Sequence, residues 1–228
     1  MIIFAFNIKS IFMRTLSLAG ISIFVLTLFY SCKSSSVETA KSFCDTACLK
    51  DSLIFKGDHK LNPYVFITAN YCRPDSVGWN YKGMGSIKKT SFDFKDIKVN
   101  KDFIRCFIRD TAMAYILLND CITGRGFQIL LPFAKNKSYG LRTSGINNFD
   151  KKFSVADNLL VYTDRGNVFV EDMATGKKAM MTFGQKLDID YDAIHEFIDS
   201  VNITNERIWA KILVEKKWVE KEKKIVFE

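Results

Sequence analysis

The sequence has few of the residues that mark the common catalytic machineries. Its 228 residues include only two histidines, His59 and His195, and three prolines. It has no phosphate-cradling glycine loop, no Gly-x-Ser-x-Gly elbow and no His-Glu-x-x-His helix. No Cys-x-x-Cys pair supports thiol redox chemistry. Two histidines far from any paired-cysteine module leave zinc without a ligand set, so no metal and no cofactor are expected. No apolar run reaches the roughly twenty residues that a membrane-spanning helix needs. Residues 1–31 contain no acidic side chain.

That leader is informative for what it does contain. Lys9 and Arg14 precede an apolar run, Leu16 to Tyr30, broken only by Ser17, Ser22 and Thr27. A positive start, a short apolar middle and a small-residue exit read as a secretory signal peptide over 1–31, translated from Met1 or from Met13. The exit is "LFYSC", Leu28 to Cys32, followed by the polar stretch "KSSSVETAKS". It resembles the lipobox of bacterial lipoproteins, with Phe29 and Tyr30 as mild departures. The resemblance implies cleavage before Cys32, acylation of that cysteine, and a polar tether over 32–43 leading to a single domain over 44–228. Several acyl chains anchor stably where one chain does not. Lys33 after the cysteine, and no acidic run, imply the outer membrane and its periplasmic face.

Export changes how the remaining features are read. The net charge of +8 falls to +6 without Lys9 and Arg14. Lys216, Lys217, Lys221, Lys223 and Lys224 are interleaved with Glu215, Glu220 and Glu222. Such a mixed run is a solvated face, and no nucleic-acid partner is expected. In an oxidising compartment Cys44, Cys48, Cys72, Cys106 and Cys121 are disulfide candidates; five cysteines allow two bridges and leave one thiol.

The body reads as sheet. Twenty phenylalanines and runs of Ile, Val and Tyr bounded by Gly, Asn and Asp indicate strands. "PYVFITANY" (63–71) predicts a strand paired with 76–81 across "CRPD". Two three-strand meanders follow, 103–131 and 159–183. Each carries Asp-x-x-Thr-Gly and then a basic residue, Asp120 to Arg125 and Asp172 to Lys177. Aspartate opens such turns through its side chain and glycine supplies the positive φ. In this register Cys106 lies opposite about Leu117, so a 106–121 bridge is not expected. These meanders resemble β-propeller blades, but the chain is too short for an ordinary closed propeller. The expected fold is mainly β, an antiparallel meander sandwich or open barrel with blade-like hairpins. One C-terminal helix is expected over about 190–201, from Tyr191, Ile194, Ile198 and Val201 at helical spacing, and a closing hairpin over about 207–228.

Few residues invite a chemical reading. Asp58–His59 could serve a nucleophile but reads better as loop. Asp188, Asp190, Asp192 and Asp199 match part of a calcium loop, with Ala193 where glycine is needed. Trp79 with Tyr81, and Trp209 with Trp218, could stack sugars, although aromatics on strands more often belong to a core. Asp-[Ser/Thr]-apolar occurs five times where about one is expected by composition. It resembles the O-glycosylation acceptor of exported Bacteroidota proteins, implying glycan on Thr46, Ser52, Ser76, Thr111 and Ser200. Leader and composition together resemble uncharacterised envelope lipoproteins of that phylum. The expectation is a non-enzymatic module that meets the membrane through its lipid and binds a protein or glycan; the alternative is an envelope hydrolase acting on glycan or peptide.

Overall fold

The computed structural model describes residues 48–92, 97–183 and 194–228. All of them fall within one compact unit. Fifteen strands among the described residues form three sheets. The first sheet is a plain antiparallel meander of β1 (Leu53–Lys56), β2 (Tyr64–Asn70), β3 (Arg73–Asn80) and β4 (Lys88–Ser91). The second contains β5 (Ile104–Arg109), β6 (Met113–Asn119), β7 (Gly126–Pro132) and β8 (Gly140–Ile146). It continues through β10 (Leu159–Asp164), β11 (Asn167–Asp172) and β12 (Lys178–Met181), in the order β12-β11-β10-β8-β7-β6-β5. Between β8 and β10 the short strand β9 (Phe153–Val155) leaves for the third sheet. There it pairs in parallel with β13 (Ile198–Ile203), which is followed by β14 (Arg207–Val214) and β15 (Lys217–Lys224). Every other strand pair is antiparallel, and the strands close no barrel.

Period-two alternation explains how the sheets pack. Val65, Ile67, Val77 and Trp79 from the first sheet share one core with Ile116, Leu118, Phe127, Ile129 and Leu131 of the second. Val161, Val168 and Val170 at the other end of the second sheet share another with Val201, Ile208, Ala210 and Ile212 of the third. The opposite faces of β6 and β7 are covered too: Tyr115, Leu117 and Leu130 meet Leu160 and Met173. The central strands therefore read as near-continuous apolar runs, because both faces are buried.

The two Asp-x-x-Thr-Gly turns have the same hydrogen bonds. Asp120 Oδ2 accepts from the Thr123 backbone N–H and hydroxyl at 2.9 and 2.7 Å, and Asp172 Oδ1 accepts from those of Thr175 at 2.6 and 2.7 Å. Gly124 and Gly176 sit at φ +73° and +75°, as the turn chemistry requires. The expected helix is not shown among the described residues beyond a single turn. A helical turn covers Ile194–Phe197, and from Ile198 the chain is β13; residues 184–193 lie outside the described residues. A β-bulge between Ile198 and Ser200 gives the reason. The extra residue places two core side chains, Ile198 and Val201, three apart, which imitates a helical period. Two finer expectations also shift. The β2–β3 reversal is Tyr71–Cys72, both at positive φ, and Arg73, Pro74 and Asp75 already belong to β3. Cys106 pairs with Ile116, one residue from the expected Leu117. The closing hairpin forms as β14–β15.

Candidate functional site

The outer face of the first sheet is built from the residues that alternate with its core. Register aligns them in rows across the strands: Lys56, Tyr64 and Asn80; then Ile54, Phe66, Gly78 and Lys89; then Thr68, Ser76 and Ser91. The middle row explains a glycine. A Cβ on Gly78 would lie 2.2 Å from Phe66 Cζ, so the Phe66 ring lies across the bare backbone of β3. Aromatic cover of a strand glycine buries backbone that would otherwise be solvated. Tyr64 stacks beside Phe66 with centroids 6.4 Å apart and planes 24° from parallel. Ile54, on the edge strand next to them, is 60% exposed.

One end of this face opens into a cleft of about 740 Å³, walled by Ile54, Lys56, Asn62, Tyr64, Tyr81 and Lys82. Two loops form its rim. In the first, Gly57 N–H donates to Pro63 O at 2.8 Å, and His59 Nδ1 accepts from Leu61 N–H at 3.2 Å. In the second, Gly83 and Gly85 have φ of +101° and +91°, and a Cβ on either would meet nothing within 4 Å. Lys82 N–H donates to Leu61 O at 2.7 Å and ties the loops together. Below the rim, Met84 is buried, and the Tyr81 ring packs edge-on against Phe133 at 5.7 Å. The cleft thus has a fixed floor and open glycine backbone at its lip.

A second cavity, about 320 Å³, lies beside β5 and is lined in part by Cys106, Phe107, Asn147, Asp157 and Met173. Arg105 crosses it, bonded to Asp157 at 3.0 Å and Asn148 at 2.9 Å, with its guanidinium over Phe149. Burial pushes the Cys106 thiol up to about 12, so it is protonated and unreactive at neutral pH. Elsewhere, a well-buried ion pair joins Arg142 to Glu171 at 2.8 Å. Arg142 also lies over the Tyr162 ring at 4.0 Å, and Lys178 approaches Glu171 at 3.9 Å. This group holds β8, β10, β11 and β12 together.

The residues singled out in the sequence separate accordingly. Cys48 and Cys72 form a disulfide with Cα atoms 5.0 Å apart, and Cys106 is a free thiol. Cys121 is also disulfide-bonded. Cys32, Cys44 and Thr46 lie outside the described residues. Trp79 is core: it is 3% exposed and its Nε1 donates to Pro132 O at 2.9 Å, so it forms no platform with Tyr81. Register sets Trp209 opposite Glu222 and Trp218 opposite Leu213. That offset of four residues is about 13 Å, too far to clasp one sugar ring. His59 is occupied in its own loop, which answers the Asp58–His59 reading. Asp199 lies in the β13 bulge, bonded to Ser200 and 3.6 Å from Lys211; Asp188, Asp190 and Asp192 lie outside the described residues. Among the described residues no three His, Cys, Asp or Glu side chains are grouped to hold a metal.

Of the candidate glycan acceptors, Ser52 is exposed and Thr111 stands at the β5–β6 hairpin tip. Ser200 donates to Asp199. Ser76 is 3% exposed, with its hydroxyl 2.7 Å from that of Thr68, so folded protein offers it poorly to a glycan. The sequence reading missed the Tyr64–Phe66 strip. Its signal was the alternation inside "YVFI", where Val65 and Ile67 point to the core and the two aromatics to the other side. No known protein family, curated protein or solved structure matches this chain.

Proposed function

We propose that this protein is a lipid-anchored component of a bacterial envelope that works by binding, and that the outer face of β1–β4 with its cleft is the binding surface. The observation that carries this reading is the Tyr64–Phe66 strip set beside a cleft of about 740 Å³. Ligand sites pair apolar and aromatic walls with a few polar groups that fix orientation. The lipid anchor rests on "LFYSC" and the polar stretch behind it. In this reading the layered meanders act as a sandwich scaffold that holds the face away from the membrane on a tether of about twelve residues.

Two measurements test the proposal. Metabolic labelling with a palmitate analogue should mark the wild-type chain and leave Cys32→Ala unlabelled and uncleaved. A photoreactive phenylalanine analogue at Ile54 should capture an envelope component in living cells, while the same group at Trp218, 45% exposed on the third sheet, should not. Equal capture from both positions would remove the first sheet from the reading. Label retained by Cys32→Ala would remove the anchor.

A further inference from the structure

We infer that the cleft beside Tyr64 takes an anionic glycan, a chain of sugars bearing carboxylate or another acidic group. This inference rests on the binding reading above and names its ligand class. Three features of the wall point the same way. Tyr64 offers an aromatic ring, on which the apolar C–H face of a sugar packs. Asn62 and Asn80 supply amides that both donate and accept, as a ring of hydroxyls requires. Lys56 and Lys82 supply the only charges among the described residues of the wall, and both are exposed. Ammonium groups can donate to any hydroxyl, but only an acidic sugar also gains charge attraction from both of them, and a basic ligand would be repelled.

The geometry favours an extended chain over a single sugar. Lys56 and Tyr64 are direct partners across β1 and β2, so one ring and one cation lie side by side. Lys82 stands on the opposite rim, in the loop whose glycines leave the backbone uncovered. A ligand that meets both lysines must cross the cleft and pass Asn80, the Tyr64 partner on β3. The two cations are on flexible stems in water, so their contribution is salt-sensitive.

Titration of the detergent-solubilised mature protein with polygalacturonate and alginate, against neutral dextran and laminarin, tests this. An acidic polymer should bind more tightly than either neutral one, and the affinity should fall as sodium chloride is raised. Lys56→Gln and Lys82→Gln should each weaken acidic-polymer binding up to about fivefold, the range of an exposed charge pair. Both sites are exposed, so the variants should melt with the wild type. Binding to neither acidic polymer, or binding unchanged by both lysine variants, would overturn the inference. If the photoreactive group at Ile54 captured a protein and no polysaccharide, the glycan would be wrong and the binding face right. If Ile54 captured nothing, the face itself would be wrong.

Discussion

Single residues in this fold are held by identifiable bonds, and their titration follows. Cys106 is protonated well beyond the usual thiol range because ionising it would bury a charge. Its thiol should resist alkylation at pH 8 in the folded protein and react on unfolding. A folded pKa raised above the unfolded value adds stability that is complete below about pH 8.5 and is lost as pH rises toward about 12. Melting curves of wild type and Cys106→Ala should therefore converge in relative terms as pH rises above 9. Asp172 behaves in the opposite sense. Burial acts to raise its pKa, but hydrogen bonds from Thr175, Asn158 and the Ala174 backbone together outweigh it and hold it below the usual range. A lowered folded pKa gives stability that is present above about pH 4 and lost as pH falls further. Asp172→Asn should lower the melting temperature at pH 7 and flatten its fall in acid.

Gly176 belongs to the same turn. Its φ of +75° disfavours any side chain, and a Cβ there would meet Arg109 Nη1 at 3.3 Å. Arg109 bonds the Met173 and Ala174 carbonyls, so the turn is also the contact between β5 and the β11–β12 hairpin. Gly176→Ala should cost about 1–2 kcal/mol in denaturant unfolding. A loss of ligand affinity without that loss of stability would make the turn a binding element instead.

At the scale of elements, the edges are the exposed liability. β15 is exposed along its whole length and ends the third sheet. From Glu220 to Lys223 it alternates glutamate with lysine, and charge on an edge strand discourages pairing with another chain. The last residues cover part of a different edge, that of the second sheet: Glu228 and Lys178 exchange backbone hydrogen bonds at 3.0 and 3.1 Å, which joins Glu228 to β12. Deleting 225–228 should destabilise the protein, because it removes buried Ile225 as well as that link. The β14–β15 turn has room for improvement. Glu215 and Lys216 both sit at positive φ, 47° and 62°, where Asn-Gly is preferred. Replacing the pair with Asn-Gly should raise stability by about 1 kcal/mol, read as a higher urea midpoint at unchanged slope.

At the scale of the whole molecule, a disulfide ties the start of the described domain to the first sheet. Cys48 begins the described domain and is bonded to Cys72, while the Leu49 N–H reaches Val99 O and the Val99 N–H reaches Cys72 O. Cys121 is bonded as well, and Cys106 is free. A non-reducing peptide map should show Cys48–Cys72 linked, Cys121 in a bridge and Cys106 free. Closing a loop of 24 residues stabilises by about 3 kcal/mol on the chain-entropy account, so reduction should lower the melting temperature by several degrees.

The sequence alone determined the strand content, both Asp-x-x-Thr-Gly turns and the closing hairpin, because these depend on neighbours within a few residues. Alternation in "YVFITAN" and the positive-φ demand of Gly124 and Gly176 act locally. Tertiary structure decided what local pattern could not. It made Ile198 to Val201 a bulged strand, because pairing with β14 and with β9 rewards extension over helix. It sent Trp79 to the core and left Tyr64 and Phe66 outside, although all three stand on strands of one sheet. It also built the cleft from two loops about twenty residues apart, tied by the Lys82–Leu61 hydrogen bond. A side chain's face follows from sequence period, but which face is covered depends on the sheet that packs against it, and that partner is set by distant parts of the chain.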